Sequence, residues 1–122
     1  MADIEIKRFD RPDEHRPFEG KGAADLVNVF GQTIGRATLE PGWRWSVNVK
    51  PIAGTELCEF THLNYVLSGR VRITMADGTT AEAGPGDVVG IPPGHDAEVI
   101  GDEAAIVIDV GQFKDADFAK RA

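Results

Sequence analysis

Four residues of this sequence have types and spacings that suit them to hold a metal ion: Glu56, Cys58, His62 and His95. A thiolate, two imidazoles and a carboxylate are all good ligands for Zn²⁺ or Fe²⁺. A metal beside Cys58 would also hold it as the thiolate. In an undisturbed strand Glu56, Cys58 and His62 lie an even number of residues apart and share one face with Phe60, Asn64 and Val66. The other face carries Leu57, Glu59, Thr61 and Leu63, so alternation alone leaves open which face is inside. His95 shares a face with Ala97 and Val99, opposite Asp96 and Glu98. The third of the three histidines, His15, stands in a polar stretch far from the others. Two further residues have groups suited to orienting a small ligand: the amide of Asn48 and the hydroxyl of Tyr65. The sequence contains no phosphate loop, no Ser-His-Asp arrangement and no zinc-finger spacing.

The elements that must position these residues read as short strands. Val27–Phe30, Thr33–Leu39, Trp43–Val49, Glu56–Leu67, Val71–Met75, Asp87–Ile91, Ala97–Ile100 and Ala104–Val110 are rich in β-branched and aromatic residues and are cut by turn signals. Asp77-Gly78 suits a hairpin turn. Gly84-Pro85-Gly86 and Pro92-Pro93-Gly94 are breaks that no helix carries. A short strand is expected near Ile4–Phe9, followed by a polar Pro- and Gly-rich arm over residues 10–22; together they make an N-terminal unit, 1–22. The main domain is expected over 23–112 and a tail over 113–122, where Phe113–Lys120 reads equally as a helical turn or a strand. Many short strands at close spacing make a sandwich or barrel.

Composition bounds the function. The chain has 122 residues, 42% of them hydrophobic, enough for one core without disulfides. Thirteen basic against 20 acidic residues leave a net charge of −7, which disfavours a nucleic-acid backbone as partner. No apolar stretch is long enough to span a membrane. Met1–Glu5 has neither the basic start nor the apolar run of a signal peptide, and the single cysteine suits a reducing compartment, so a cytoplasmic location is expected.

Two stretches carry a family resemblance. Tyr65-Val66-Leu67-Ser68-Gly69-Arg70-Val71 looks like the end of the first cupin motif, and Gly86-Asp87-Val88-Val89-Gly90-Ile91-Pro92-Pro93-Gly94 has the glycine and proline frame of the second. Together the frames cover roughly residues 40–110, and the sequence resembles a small single-domain cupin. The resemblance implies an all-β fold, an antiparallel double-stranded β-helix or jelly-roll barrel. It aims positions 56, 58 and 62 into the barrel. The family's glutamate position, seven residues before Gly69, is filled by His62; the histidine pair falls on Glu56 and Cys58. The histidine of the second motif falls on Ala97, and His95, two residues earlier, is placed to point inward instead.

What this implies is a small-molecule site inside the barrel. The first expectation is a divalent-metal-dependent enzyme, with zinc or iron held by Cys58, His62 and His95. It would act on an oxygenated small molecule by isomerase, lyase or dioxygenase chemistry. Glu56 is then a fourth ligand or a general base, and Asn48 or Tyr65 orients the substrate. The alternative is a non-catalytic ligand-binding or sensing cupin without metal, its pocket lined by the same residues. The resemblance also implies a homodimer, with the N-terminal strand pairing to a neighbour.

Overall fold

The computed structural model describes residues 3–110. Among these residues nine strands make two antiparallel sheets. The first sheet contains β1 (Glu14–Pro17), β2 (Gly22–Val29), β3 (Gln32–Leu39), β4 (His62–Ser68), β7 (Val88–Ile91) and β9 (Ala105–Val110), in the order β1-β2-β3-β9-β4-β7. The second contains β5 (Arg70–Met75), β6 (Thr80–Ala83) and β8 (His95–Ile100), in the order β6-β5-β8. This is the expected all-β jelly-roll. Among the described residues no helix is long and apolar enough to cross a membrane.

The core forms where the two inner faces meet. Leu26, Leu39, Val66 and Val107 of the first sheet pack with Val71, Ile73 and Val99 of the second. Period-two alternation is cleanest on β9, where Ala105, Val107 and Asp109 are buried and the residues between them are not. Val71 pairs with Val99 and Ile73 with Ala97, which sets the register of β5 against β8. Asn64 pairs with Asp109, which sets β4 against β9 beneath the site.

Gly69 is where the chain leaves one sheet for the other. It has φ +75°, and a Cβ there would sit 2.5 Å from both the Ala104 carbonyl oxygen and Ala105 Cα. Only glycine accepts that backbone and that approach.

Three sequence expectations need correction. The expected Ile4–Phe9 strand is absent: residues 3–8 have no regular structure, and Ile4 and Ile6 stand exposed. The first strand lies instead inside the polar arm, because Glu14–Pro17 finds a full antiparallel partner in Ala23–Leu26 of β2. Trp43–Val49 is not a strand but a turn leading into two short helices, α1 (Trp45–Asn48) and α2 (Lys50–Ala53). The Asn48 amide oxygen accepts from the Arg44 N–H at 2.9 Å and closes the first turn, and Gly54 at φ +80° ends the second. Glu56–Leu67 is a strand only from His62 onward. The open Phe113–Lys120 segment lies outside the described residues.

Candidate metal centre

His62 opens β4 and points inward. Its Nδ1–H donates to Asp109 Oδ2 at 2.6 Å, which turns Nε2 toward Cys58 Sγ, 3.3 Å away. Cys58 precedes the strand, in a loop held by main-chain bonds. Its N–H donates to the His95 carbonyl at 2.8 Å, and its own carbonyl accepts from Gly94 N–H at 2.7 Å and His95 N–H at 3.2 Å. Cys58 and His95 are therefore opposite residues of an antiparallel bridge. Pro92-Pro93-Gly94 does turn the backbone, with Gly94 at φ +89°, but it turns His95 inward to 3% exposure. The His95 Nδ1–H donates to the Pro92 carbonyl at 2.7 Å, leaving Nε2 available.

The three side chains converge. One ligand atom from each of Cys58, His62 and His95 lies within 4.8 Å of the other two. The His62 and His95 rings meet edge to face, with centroids 5.3 Å apart. Tetrahedral bonds of about 2.3 Å to sulfur and about 2.0 Å to nitrogen would place ligand atoms about 3.5 Å apart. The Cys58–His62 separation of 3.3 Å is already close to that value.

The electrostatics favour a charged pair. Burial is the largest single influence on Cys58 and pushes the thiol up, but hydrogen bonds from His62 and His95, with their charges, together bring its pKa down to about 6. Burial likewise pushes His62 down, but the bonds and charges of Asp109 and Cys58 outweigh it and raise the pKa to about 9. Without a metal, both shifts favour a thiolate beside an imidazolium over the neutral pair. The pair does not make an open nucleophile, because Cys58 is 2% exposed and lies behind the two rings.

In front of the rings is a cavity between the sheets, offering about 90 Å³ to the centres of solvent-sized molecules. A single water needs about 10–15 Å³ by that measure, so a small organic molecule fits. Its walls are Phe18, Leu39, Trp43, Trp45 and Val49 on one side and Ile73, Ile91 and Val107 on others. Its polar groups come from His62, Asn64, His95 and Asp109.

The other expected site residues lie apart from this cluster. Glu56 is in the loop, its side chain 89% exposed and paired with Lys50 Nζ at 2.7 Å. The Asn48 amide is occupied within the fold: besides closing α1, its Nδ2 donates to the Glu19 carbonyl at 2.7 Å. Tyr65 alternates outward from β4 and is 42% exposed. His15 pairs with Asp25 on the β1–β2 hairpin. Asp109 and Asn64 were not among the expected site residues, and Trp43 and Trp45, both buried in the core, also line the cavity. Asp109 was detectable, as a lone acid on the inward parity of an otherwise apolar strand.

The family model for the cupin domain matches residues 55–111, which takes in β4 to β9 and all three converging residues. The chain carries a cupin domain over these residues. Among solved structures, this cupin is similar to a protein of unknown function from Rhizobium leguminosarum bv. viciae 3841, at 24% identity and TM-score 0.63, covering 91% of this chain and 98% of that one. It is also similar to the polyketide cyclase RemF from Streptomyces resistomycificus, at 17% identity and TM-score 0.63, over 89% of this chain and 79% of that one. A variant of Bacillus subtilis oxalate decarboxylase shares 17% identity and TM-score 0.63, over 96% of this cupin but only 32% of its own length. At such identities the likeness speaks for the fold. No curated protein matches the sequence significantly.

Proposed function

We propose that this cupin is a metal-dependent protein acting on a small oxygenated molecule in the barrel, with a divalent ion held by Cys58, His62 and His95. The observation that carries the proposal is the mutual approach of three good ligand atoms within 4.8 Å. The Asp109 carboxylate orienting His62 supports it, as ligand histidines commonly give their second N–H to such a partner. The oxalate decarboxylase neighbour has Mn(II) centres; the sulfur-containing donor set here favours zinc or iron over manganese.

A metal held there would supply Lewis-acid polarisation of a ligand oxygen, or dioxygen binding in the case of iron. The chain's own residues do the rest. Asp109 keeps the proton on His62 Nδ1, Pro92 keeps that on His95 Nδ1, and the apolar walls exclude water from the ligand. Isomerase, lyase and dioxygenase chemistries are all compatible with this arrangement, and fold does not choose among them. The histidine of the second cupin motif falls on Ala97, and that favours a second reading as a ligand-holding or sensing cupin. The buried free thiol of Cys58 supports a reducing, cytoplasmic setting.

The test is metal analysis of protein purified without a histidine tag. Stoichiometric zinc or iron is expected, lost in Cys58→Ser and His62→Ala and retained in Glu56→Ala and His15→Ala. Protein that carries no metal and takes up neither zinc nor cobalt(II) would rule out the centre and leave the second reading.

A further inference from the structure

Beside the candidate centre two shielded acceptors stand on opposite strands, each without a hydrogen-bond partner. Asp109 Oδ2 takes the His62 Nδ1–H, but Asp109 Oδ1 takes nothing, and neither does Asn64 Oδ1. Asn64 stands opposite Asp109 in the β4–β9 register, and both line the cavity on the inward face. Opposite residues have Cβ atoms about 4.5–5.5 Å apart, so the two head groups are within reach of one another. The neighbour of Asn64 on its other side is Val89, whose side chain has no polar group.

A carboxylate oxygen and an amide oxygen both only accept, so they cannot satisfy each other. Buried polar groups are nearly always paired, and an unpaired one carries its full cost of desolvation. A half-turn of the Asn64 amide about Cβ–Cγ answers both needs. It puts a donor, Nδ2, where the oxygen stood and displaces nothing else, because the two ends of an amide are nearly alike in shape and differ in the bonds they make. The oxygen then takes the position that Nδ2 leaves, which is not one of the shielded, unpartnered ones.

We infer that Asn64 Nδ2–H donates to Asp109 Oδ1, and that Asn64 is thereby a positioning residue of the centre. A carboxylate bonded through one oxygen can still rotate about Cβ–Cγ. Bonded through both, it holds its plane and keeps Oδ2 aimed at His62 Nδ1. The line runs from Asn64 to Asp109 to His62, whose Nε2 is turned toward Cys58 Sγ. Groups that fix the partner of a ligand histidine tune a metal site through it. The effect on metal rests on the reading of Cys58, His62 and His95 as a centre; the hydrogen bond itself does not.

The chain has three asparagines, Asn28, Asn48 and Asn64, and two glutamines, Gln32 and Gln112. Its side-chain amide signals in a ¹H–¹⁵N spectrum are therefore few, and Asn64→Leu identifies the pair that comes from Asn64. In metal-free protein one proton of that pair should lie downfield, exchange slowly with water and move back upfield in Asp109→Leu. Asp109→Asn, which removes only the charge, should move it the same way and serves if Asp109→Leu does not fold. The His62 Nδ1 proton should appear at low field and shift in Asn64→Leu, an effect that lost stability alone does not produce. In zinc competition Asn64→Leu should bind about three- to tenfold more weakly, less than removal of a direct partner generally costs. The same substitution made in Asp109→Leu should cost less than about twofold, because Asn64 then has nothing to act through. Asn64 amide protons that exchange freely and ignore both changes at Asp109 would overturn the inference. So would equal losses of zinc affinity for Asn64→Leu with and without Asp109. If the protein takes up no zinc at all, the metal reading fails, and the two proton signals of metal-free protein still decide the hydrogen bond.

Discussion

Replacing Asp109 with asparagine tests whether this carboxylate prepares His62 to bind metal. The side chains are nearly the same size, and the His62 Nδ1–H keeps an acceptor, so the substitution removes charge and little else. The bond is 2.6 Å long, and both partners are largely buried, at 12% and 5% side-chain exposure. A hydrogen bond to a charged partner contributes about 1.5–3 kcal/mol, against about 0.5–1.5 kcal/mol between neutral groups. The difference, about 1–1.5 kcal/mol, is about tenfold in affinity. Losing the partner of a ligand histidine generally costs about ten- to a hundredfold. Asp109→Asn should therefore bind zinc about tenfold more weakly, and Asp109→Leu, which leaves Nδ1–H unpaired, more weakly still. Competition with a chromogenic chelator gives the affinity, and the thiolate-to-cobalt charge-transfer band shows whether Cys58 still coordinates. If Asp109→Asn binds like the parent while His62→Ala loses the metal, Asp109 does not orient the ligand. If His62→Ala also binds normally, the centre is misassigned.

In metal-free protein the thiolate absorbance should titrate with a midpoint of about 6, and in His62→Ala it should move up; a midpoint at the ordinary thiol value in the parent would refute the ion pair. The stabilising effect of the depressed Cys58 is lost as pH falls through about 6, and that of the raised His62 is lost as pH rises through about 9. Folding moves one proton from sulfur to imidazole without net uptake, so the pair leaves denaturant stability flat between those limits, and a slope traced to His62 by mutation would contradict this. Gly69→Ala should destabilise the fold by at least about 2 kcal/mol through a positive φ and a backbone clash, lowering the melting temperature by about 8 °C or more; an unchanged melt would refute the close approach. Leu63, Tyr65 and Leu67 of β4 lie exposed beside Val88 of β7, an apolar outer face that should pair with a second copy. Light scattering should show a dimer that Tyr65→Asp dissociates, and a parent that stays monomeric at high micromolar concentration would exclude it.

The fold was legible because its signals are local. Turn glycines, Pro-Pro-Gly and period-two alternation need no tertiary knowledge, and they locate β3, β5, β7 and β9 well. The Trp43–Val49 segment was misread because Trp-Arg-Trp-Ser-Val alternates like a strand, while the deciding contact, the Asn48 amide closing onto Arg44, is invisible to periodicity. Cys58 and His62 were paired by strand parity, yet Cys58 is not in the strand; the two meet because the loop is bridged to His95. Glu56 followed the same parity argument and lies in solvent, since nothing ties that end of the loop to the sheet. The inward parity of Asp109 is local, but its place opposite Asn64 and beside His62 depends on the β4–β9 register, a long-range pairing that one sequence does not reveal.

The bridge between Cys58 and His95 has a consequence for how such a site can change. The Cα positions of these two residues are fixed by main-chain bonds, in which side-chain identity plays no part. The socket is therefore separate from the plug. Exchanging sulfur for imidazole or carboxylate at position 58 alters the hardness of the donor set while leaving its attachment to the barrel untouched. A lineage built on this frame can change its metal, or give up metal altogether, by single substitutions that leave these main-chain bonds in place.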